Sequence, residues 1–223
     1  MNMPTRLFPA LFCCLALTLA ACAAQTPGSA PPAAKPAPPP GEQSLAYGVS
    51  LALPPNWNVT NKIAPEAASK ASLDSRRQRG ERIALIEAYG PAGLRGVQSA
   101  LFAFLVNEQD VFMPRAHAER MTQDELNRLA RDVVQREHAS ARRQRVESGL
   151  IDVQFSRQSI SGNMAIVQRM LVMAPDTRPV LLMNWDIFLP DGAGLSVRTV
   201  IDPENLGSEE QVISIVNSIY TQE

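Results

Sequence analysis

The chain has 223 residues and a formal net charge of −1, a balance that excludes a strongly basic protein. Its cysteines, Cys13, Cys14 and Cys22, all fall at the start, so no disulfide can form beyond them, and with only two histidines, His117 and His138, acid–base and metal proposals are few. The stretch from about Leu45 to Glu223 is long enough for one domain with a sizeable core, and without staples that core must stabilise it.

Arg6 opens the chain with a positive charge, and Leu7 to Ala21 form an apolar run too short to span a bilayer, which needs about 20 apolar residues. This pattern predicts a signal peptide over residues 1–21. Leu19-Ala20-Ala21-Cys22 resembles the lipobox of bacterial lipoproteins. The resemblance implies cleavage before Cys22, a diacylglyceryl group on its sulfur and acylation of its new amino terminus. Ala23 at the next position, in place of aspartate, implies sorting to the outer membrane of a Gram-negative cell, facing the periplasm. The competing reading is an ordinary A-x-A cleavage site formed by Ala21 and Ala23, which would leave Cys22 incidental. Two or three acyl chains anchor firmly where a single myristoyl chain is marginal.

Residues 22–44 follow as a tether. From Ala23 to Gly41 the chain reads AAQTPGSAPPAAKPAPPPG, with seven of the eighteen prolines and almost nothing that could pack. In polyproline II conformation, at about 3.1 Å per residue, it would hold a domain up to roughly 60 Å from the membrane.

The domain, residues 45–223, opens on Tyr47–Leu53, where Val49, Leu51 and Leu53 alternate before Pro54-Pro55, the pattern of a first strand with Ser50 facing solvent. Trp57 reads as a core plug. Pro65 to Arg79, with Gly80 beyond, has the form of a helix with proline in its first turn. Strands are expected over Arg82–Ala88 and Gln98–Val106. Thr122 with Glu125 makes a capping box for a helix whose buried stripe is Leu126, Leu129, Ala130, Val133 and Val134. Glu137 in the middle of that stripe suggests that the last turns pass the edge of the core. Four strands follow at Leu150–Ile160, Met164–Ala174, Val180–Leu189 and Leu195–Ile201, joined by turn residues and so expected to pair antiparallel in sequence. Met164, Met170, Met173, Met183 and Trp185 read as core. Ser208 with Gln211 suggests a second capping box before Val212, Ile213, Ile215, Val216 and Ile219.

This order predicts an α+β fold, an antiparallel sheet covered by helices. YGVSLALPPNW resembles the opening of PsbP/Mog-type domains, and VISIVNSIY resembles their closing helix. The resemblance spans roughly Leu45 to Tyr220 and implies an α/β/α sandwich used mostly as a noncatalytic accessory or binding module. It carries no catalytic set.

The motifs of chemistry are incomplete. His117-Ala-Glu119 lacks the cysteine pair of a zinc deaminase site. GVSLA lacks the final glycine of a nucleophile elbow. Gly90, Gly93 and Gly96 have the wrong spacing for dinucleotide binding. Asp202, Glu204, Glu209 and Glu210 suit a helix N-terminus better than a calcium loop, and His138 suits a solvated helix end.

Arginine is the exception. Arg76, Arg77, Arg79 and Arg82 cluster in one segment, and Arg128, Arg131, Arg136, Arg142, Arg143 and Arg145 run along the main helix. Arg128, Arg131 and Arg142 lie opposite the apolar stripe, an outward cationic strip that suits phosphate-rich lipid or an acidic partner. The plain alternative is a solvated face closed by the i,i+4 pairs Asp124–Arg128 and Asp132–Arg136.

The sequence is therefore read as a noncatalytic accessory protein held to the membrane through lipidated Cys22, with no cofactor or metal, an envelope protein as its partner through Arg128, Arg131 and Arg142, and no nucleic acid. The alternatives are a carrier of lipid or small molecules with an apolar cavity and, behind it, a hydrolase built from carboxylates that folding brings together.

Overall fold

The computed structural model describes residues 41–92, 97–144, 149–173, 178–205 and 207–221. Cys22 and the proline-rich tether lie outside them.

Two antiparallel sheets carry the domain. The small one is built from β1 (Glu42–Ser44), β2 (Val49–Ala52) and β10 (Tyr220–Thr221), with β2 in the middle. The large one contains β3 (Asn58–Lys62), β4 (Ile83–Ala92), β5 (Gln98–Asn107), β6 (Leu150–Ile160), β7 (Asn163–Met173), β8 (Pro179–Phe188) and β9 (Ala193–Ile201). Its order is β3-β4-β5-β9-β8-β7-β6. The expected meander β6 to β9 forms with every neighbour antiparallel, and β9 then pairs along β5 from Ala193↔Asn107 to Val200↔Ala100. Among the described residues four α-helices accompany the sheets: α1 (Lys70–Gln78), α2 (Arg115–Ala118), α3 (Gln123–Gln144) and α4 (Ser208–Asn217).

Strand alternation divides the apolar side chains between two cores. On one face Leu101 and Leu105 of β5, Leu181 and Trp185 of β8, and Leu195 and Val197 of β9 pack with Leu73 of α1, Val212 and Val216 of α4, and Val49 and Leu51 of the small sheet. On the other, Val153 and Phe155 of β6, Ile166 of β7 and Phe188 of β8 pack under Leu126 and Ala130 of α3, with Val111, Met113 and Ala118. The result is an α+β fold with helices on both faces of an antiparallel sheet. Each fully buried Leu, Val or Phe contributes about 1.5–3 kcal/mol.

Several local expectations change. Within the stretch read as tether, Glu42–Ser44 form β1. The first strand is shorter than Tyr47–Leu53, because Tyr47 sits in a single helical turn at φ 66°. Ser50 is buried rather than solvent-facing, because both faces of β2 are covered, as the burial of Val49 and Leu51 beside it shows. Helix α1 starts at Lys70 rather than near Pro65, where the Ser69 hydroxyl accepts the backbone N–H of Ser72 at 3.2 Å. No second capping box forms: Gly207, at φ 86°, takes the N-cap position of α4, and the Gln211 side chain accepts from Trp57 Nε1 at 3.1 Å. Trp57 is a core plug as expected, and Gly90 makes room for it, since a Cβ there would come within 2.8 Å of the indole. Met173 is 41% exposed, at the end of β7, although Met183 and Trp185 are core.

The first capping box does form, with Glu125 N–H donating to Thr122 Oγ1 at 3.3 Å and Thr122 N–H to Glu125 Oε2 at 2.7 Å. Helix α3 does not run off the core. Its contact line follows the i,i+4 ridge Leu126, Ala130, Val134 and His138, which drifts about 40° around the helix at each step. Glu137 is thereby left exposed, while Ala141 at the far end is buried. His138 is correspondingly no solvated helix end: it is half-buried, with Nε2 2.9 Å from the Leu150 carbonyl oxygen of β6.

Candidate functional site

Arg128, Arg131 and Arg142 project from the solvent side of α3, and all three are exposed. Their position follows from packing, because the apolar ridge of the helix is committed to β6 and its neighbours. Neither expected i,i+4 ion pair closes. Arg136 turns its Nε to the Asp132 carbonyl oxygen at 3.2 Å. Among the described residues, Arg128, Arg131 and Arg142 make no ion pair, so the strip presents three free guanidinium groups.

The other basic segment is used internally. Arg76 and Arg79 both bind Glu81, each at 2.8 Å, and hold its carboxyl below the ordinary range. Arg82 stacks over Phe104, with its guanidinium 5.4 Å from the ring centroid. Arg77 is buried, donating to Asp74 Oδ1 at 3.0 Å, Asn107 Oδ1 at 3.0 Å and the Gly192 carbonyl at 3.2 Å, while Asn107 returns a bond to the Arg77 carbonyl at 2.8 Å. Its Nε is buried without a partner among the described residues.

Folding adds to Arg77 a group that no sequence motif announced. The Tyr47 hydroxyl lies 2.7 Å from Asp74 Oδ1 and 2.6 Å from Asp191 Oδ2, and accepts from Lys70 Nζ at 2.8 Å. Lys70 also bridges Asp74 at 3.3 Å and Asp191. The Lys70–Asp74 spacing is visible as an i,i+4 pair. Tyr47, 23 residues before Lys70, and Asp191, 121 residues after it, had no local signal. Burial, together with the carboxylates of Asp191 and Asp74, pushes the Tyr47 phenol far above its usual range, against the pull of Lys70. For Lys70, burial would lower the pKa, but bonds to Asp191, Tyr47 and Asp74 outweigh it and hold the ammonium high. Burial likewise works against both carboxylates and is outweighed: Tyr47, Arg77 and Lys70 hold Asp74 below its usual range, and Lys70, Tyr47 and the Ala193 N–H hold Asp191 there. The phenol and the amine therefore keep their protons at neutral pH. The arrangement fastens α1 to the start of the domain and to the β8–β9 turn.

Beside Arg77 is an open cleft of about 600 Å³, lined by Gln78, Asn107, Glu108 and Gln109 as well. Pro114 and Gly192 complete its walls, which are polar and apolar in about equal measure. Two of the four carboxylates near α4 are committed: Asp202 accepts the Glu204 N–H at 3.0 Å, and Glu209 takes both ends of Arg169 at 3.0 and 3.2 Å. Among the described residues, no three His, Cys, Asp or Glu side chains converge as a metal cage would require.

No family model matches the sequence, and no curated protein matches it. Among solved structures the chain is similar to cyanobacterial PsbP (CyanoP) from Synechocystis, at 10% identity and a TM-score of 0.43, over 87% of this chain and 98% of that one. It is also similar to a protein from Bacteroides thetaiotaomicron, at 9% identity and a TM-score of 0.37, over 79% of this chain and 46% of that one.

Proposed function

We propose that this protein is a lipid-anchored, noncatalytic accessory of the bacterial envelope, held at the outer membrane through Cys22 and docking on another envelope protein through Arg128, Arg131 and Arg142. One observation carries the docking surface: the three arginines lie exposed along one side of α3 with no carboxylate closing on them among the described residues. Free cations of this kind steer association with acidic surfaces and are weakly coupled to fold stability. The self-contained cluster at Tyr47 supports the noncatalytic reading, because its proton-bearing groups hold one another in place. The anchor rests on the Leu19–Cys22 pattern.

Two experiments test the two halves separately. Palmitate labelling of wild type is expected to vanish in Cys22→Ala; equal labelling of both overturns the anchor. In-cell crosslinking with mass spectrometry is expected to return a defined envelope protein, lost when Arg128, Arg131 and Arg142 are changed together to Glu. Crosslinks only to abundant neighbours would overturn the docking surface.

A further inference from the structure

The cleft beside Arg77 is built from stretches far apart in sequence. Arg77 and Gln78 come from the last turn of α1, Asn107, Glu108 and Gln109 from the end of β5 and the turn after it, Pro114 from the residue before α2, and Gly192 from the β8–β9 turn. Its volume of about 600 Å³ lies within the range of about 300–1,000 Å³ usual for small-molecule sites. Arg77 is fixed there by the fold itself: Nη2 is spent on Asp74 and Nη1 on Asn107 and Gly192, and the Asn107 amide holds the arginine's own carbonyl. Only 7% of the residue is exposed, and its Nε–H has no acceptor among the described residues. A buried donor of this kind calls for an oxygen, because leaving it unpaired forfeits its hydration without return.

The rest of the lining says which kind of oxygen. The charge of Arg77 is already matched by Asp74, and Glu108 adds a carboxylate to the wall, so an anion would meet repulsion without an unspent cation. A neutral oxygen meets neither obstacle. Glu108 only accepts, whereas Gln78 and Gln109 each donate and accept, and none of these three side chains makes a hydrogen bond among the described residues. A fitting ligand therefore accepts at Arg77 and donates at Glu108 within one cleft. Vicinal hydroxyls on a sugar ring do both, and the C–H faces of the ring suit the apolar half of the walls, to which Pro114 contributes. A peptide bond offers one acceptor and one donor pointing opposite ways, too few for Arg77, Glu108 and two amides.

We propose that this cleft binds a neutral saccharide, one hydroxyl oxygen accepting from Arg77 Nε–H, a neighbouring hydroxyl donating to Glu108, and Gln78 and Gln109 holding the remaining hydroxyls. No residue of α3 lines the cleft, so this site and the arginine strip can fail independently.

The test uses the full chain, nitrogen-labelled and held in a polyoxyethylene detergent that has no sugar headgroup. The NMR signal of the Arg77 Nε–H, assigned through the side-chain carbons of Arg77, is followed while glucose, galactose, mannose and N-acetylglucosamine are titrated separately into the millimolar range. At least one sugar is expected to shift the signal saturably, and sodium acetate to leave it in place. Glu108→Gln and Gln109→Ala, on the wall outside the Arg77 cluster, are each expected to bind that sugar about three- to tenfold more weakly, the loss of one hydrogen bond. The Arg128/Arg131/Arg142 charge-reversal variant is expected to bind it as wild type does. No saturable shift with any of the four sugars overturns the proposal, as does wild-type affinity in either wall variant. A saturable shift with acetate, or with N-acetylalanine methylamide and no sugar, would assign the cleft to an anion or a peptide and overturn it as well.

Discussion

Around Tyr47, two carboxylates, a phenol, an ammonium and a buried guanidinium close on one another, whereas on α3 three guanidiniums stand in solvent. Both regions are arginine-bearing helical segments in the sequence. What separates them is what folding brings alongside: α1 lies against β4 and β5 and meets Asp191 from the β8–β9 turn, while the outer side of α3 meets nothing described. The closed cluster should report on stability, the open strip on binding.

The sharpest way to break that contrast is Arg77→Met. It leaves Asp74 and Asn107 without their buried donor, and a loss of about 2–3 kcal/mol is expected in urea unfolding. An unchanged midpoint would mean that the cluster is ornamental. Tyr47→Phe removes the hydroxyl alone and should cost about 1–2 kcal/mol.

The same cluster sets an acid limb. Because the folded-state pKa values of Asp74 and Asp191 are depressed, their contribution is present above the unfolded carboxylate value of about 3.9 and is lost as pH falls through the lower folded values. Unfolding midpoints should therefore stay level down to about pH 5 and fall below about pH 4, more gently in Asp191→Asn. Identical acid limbs for the two proteins would contradict this assignment. Thr122→Ala, which opens the capping box on the other helix, should cost about 1 kcal/mol by thermal or urea unfolding. At the small end, charge reversal of Arg128, Arg131 and Arg142 should move stability by no more than about 0.5 kcal/mol, while crosslinking to the partner disappears. A large destabilisation would show that the strip supports the fold.

Much of the fold was legible because its signals are local. Period-two alternation located β6 to β9 within a few residues, and Thr122 with Glu125 fixed the start of α3. Long-range pairing was not legible. Nothing near β9 says that it joins β5, and β3, with only Val59 half-buried among exposed neighbours, has no alternation to detect. Ser208-x-x-Gln211 shows how a local pattern can mislead: the spacing is right, but Trp57, far away in sequence, takes the glutamine. The arginine strip followed from helical spacing alone. The Tyr47 cluster did not, because it joins residues that only a remote turn places side by side.

The small sheet has a practical consequence. Its middle strand β2 has β1, where the described domain begins, on one side and β10, where it finishes, on the other. Neighbouring strands are about 4.8 Å apart and the two ends are offset by three residues along β2, so Glu42 and Thr221 sit roughly 14 Å from each other. A short glycine-rich splice between them would allow the chain to be reopened elsewhere as a circular permutant.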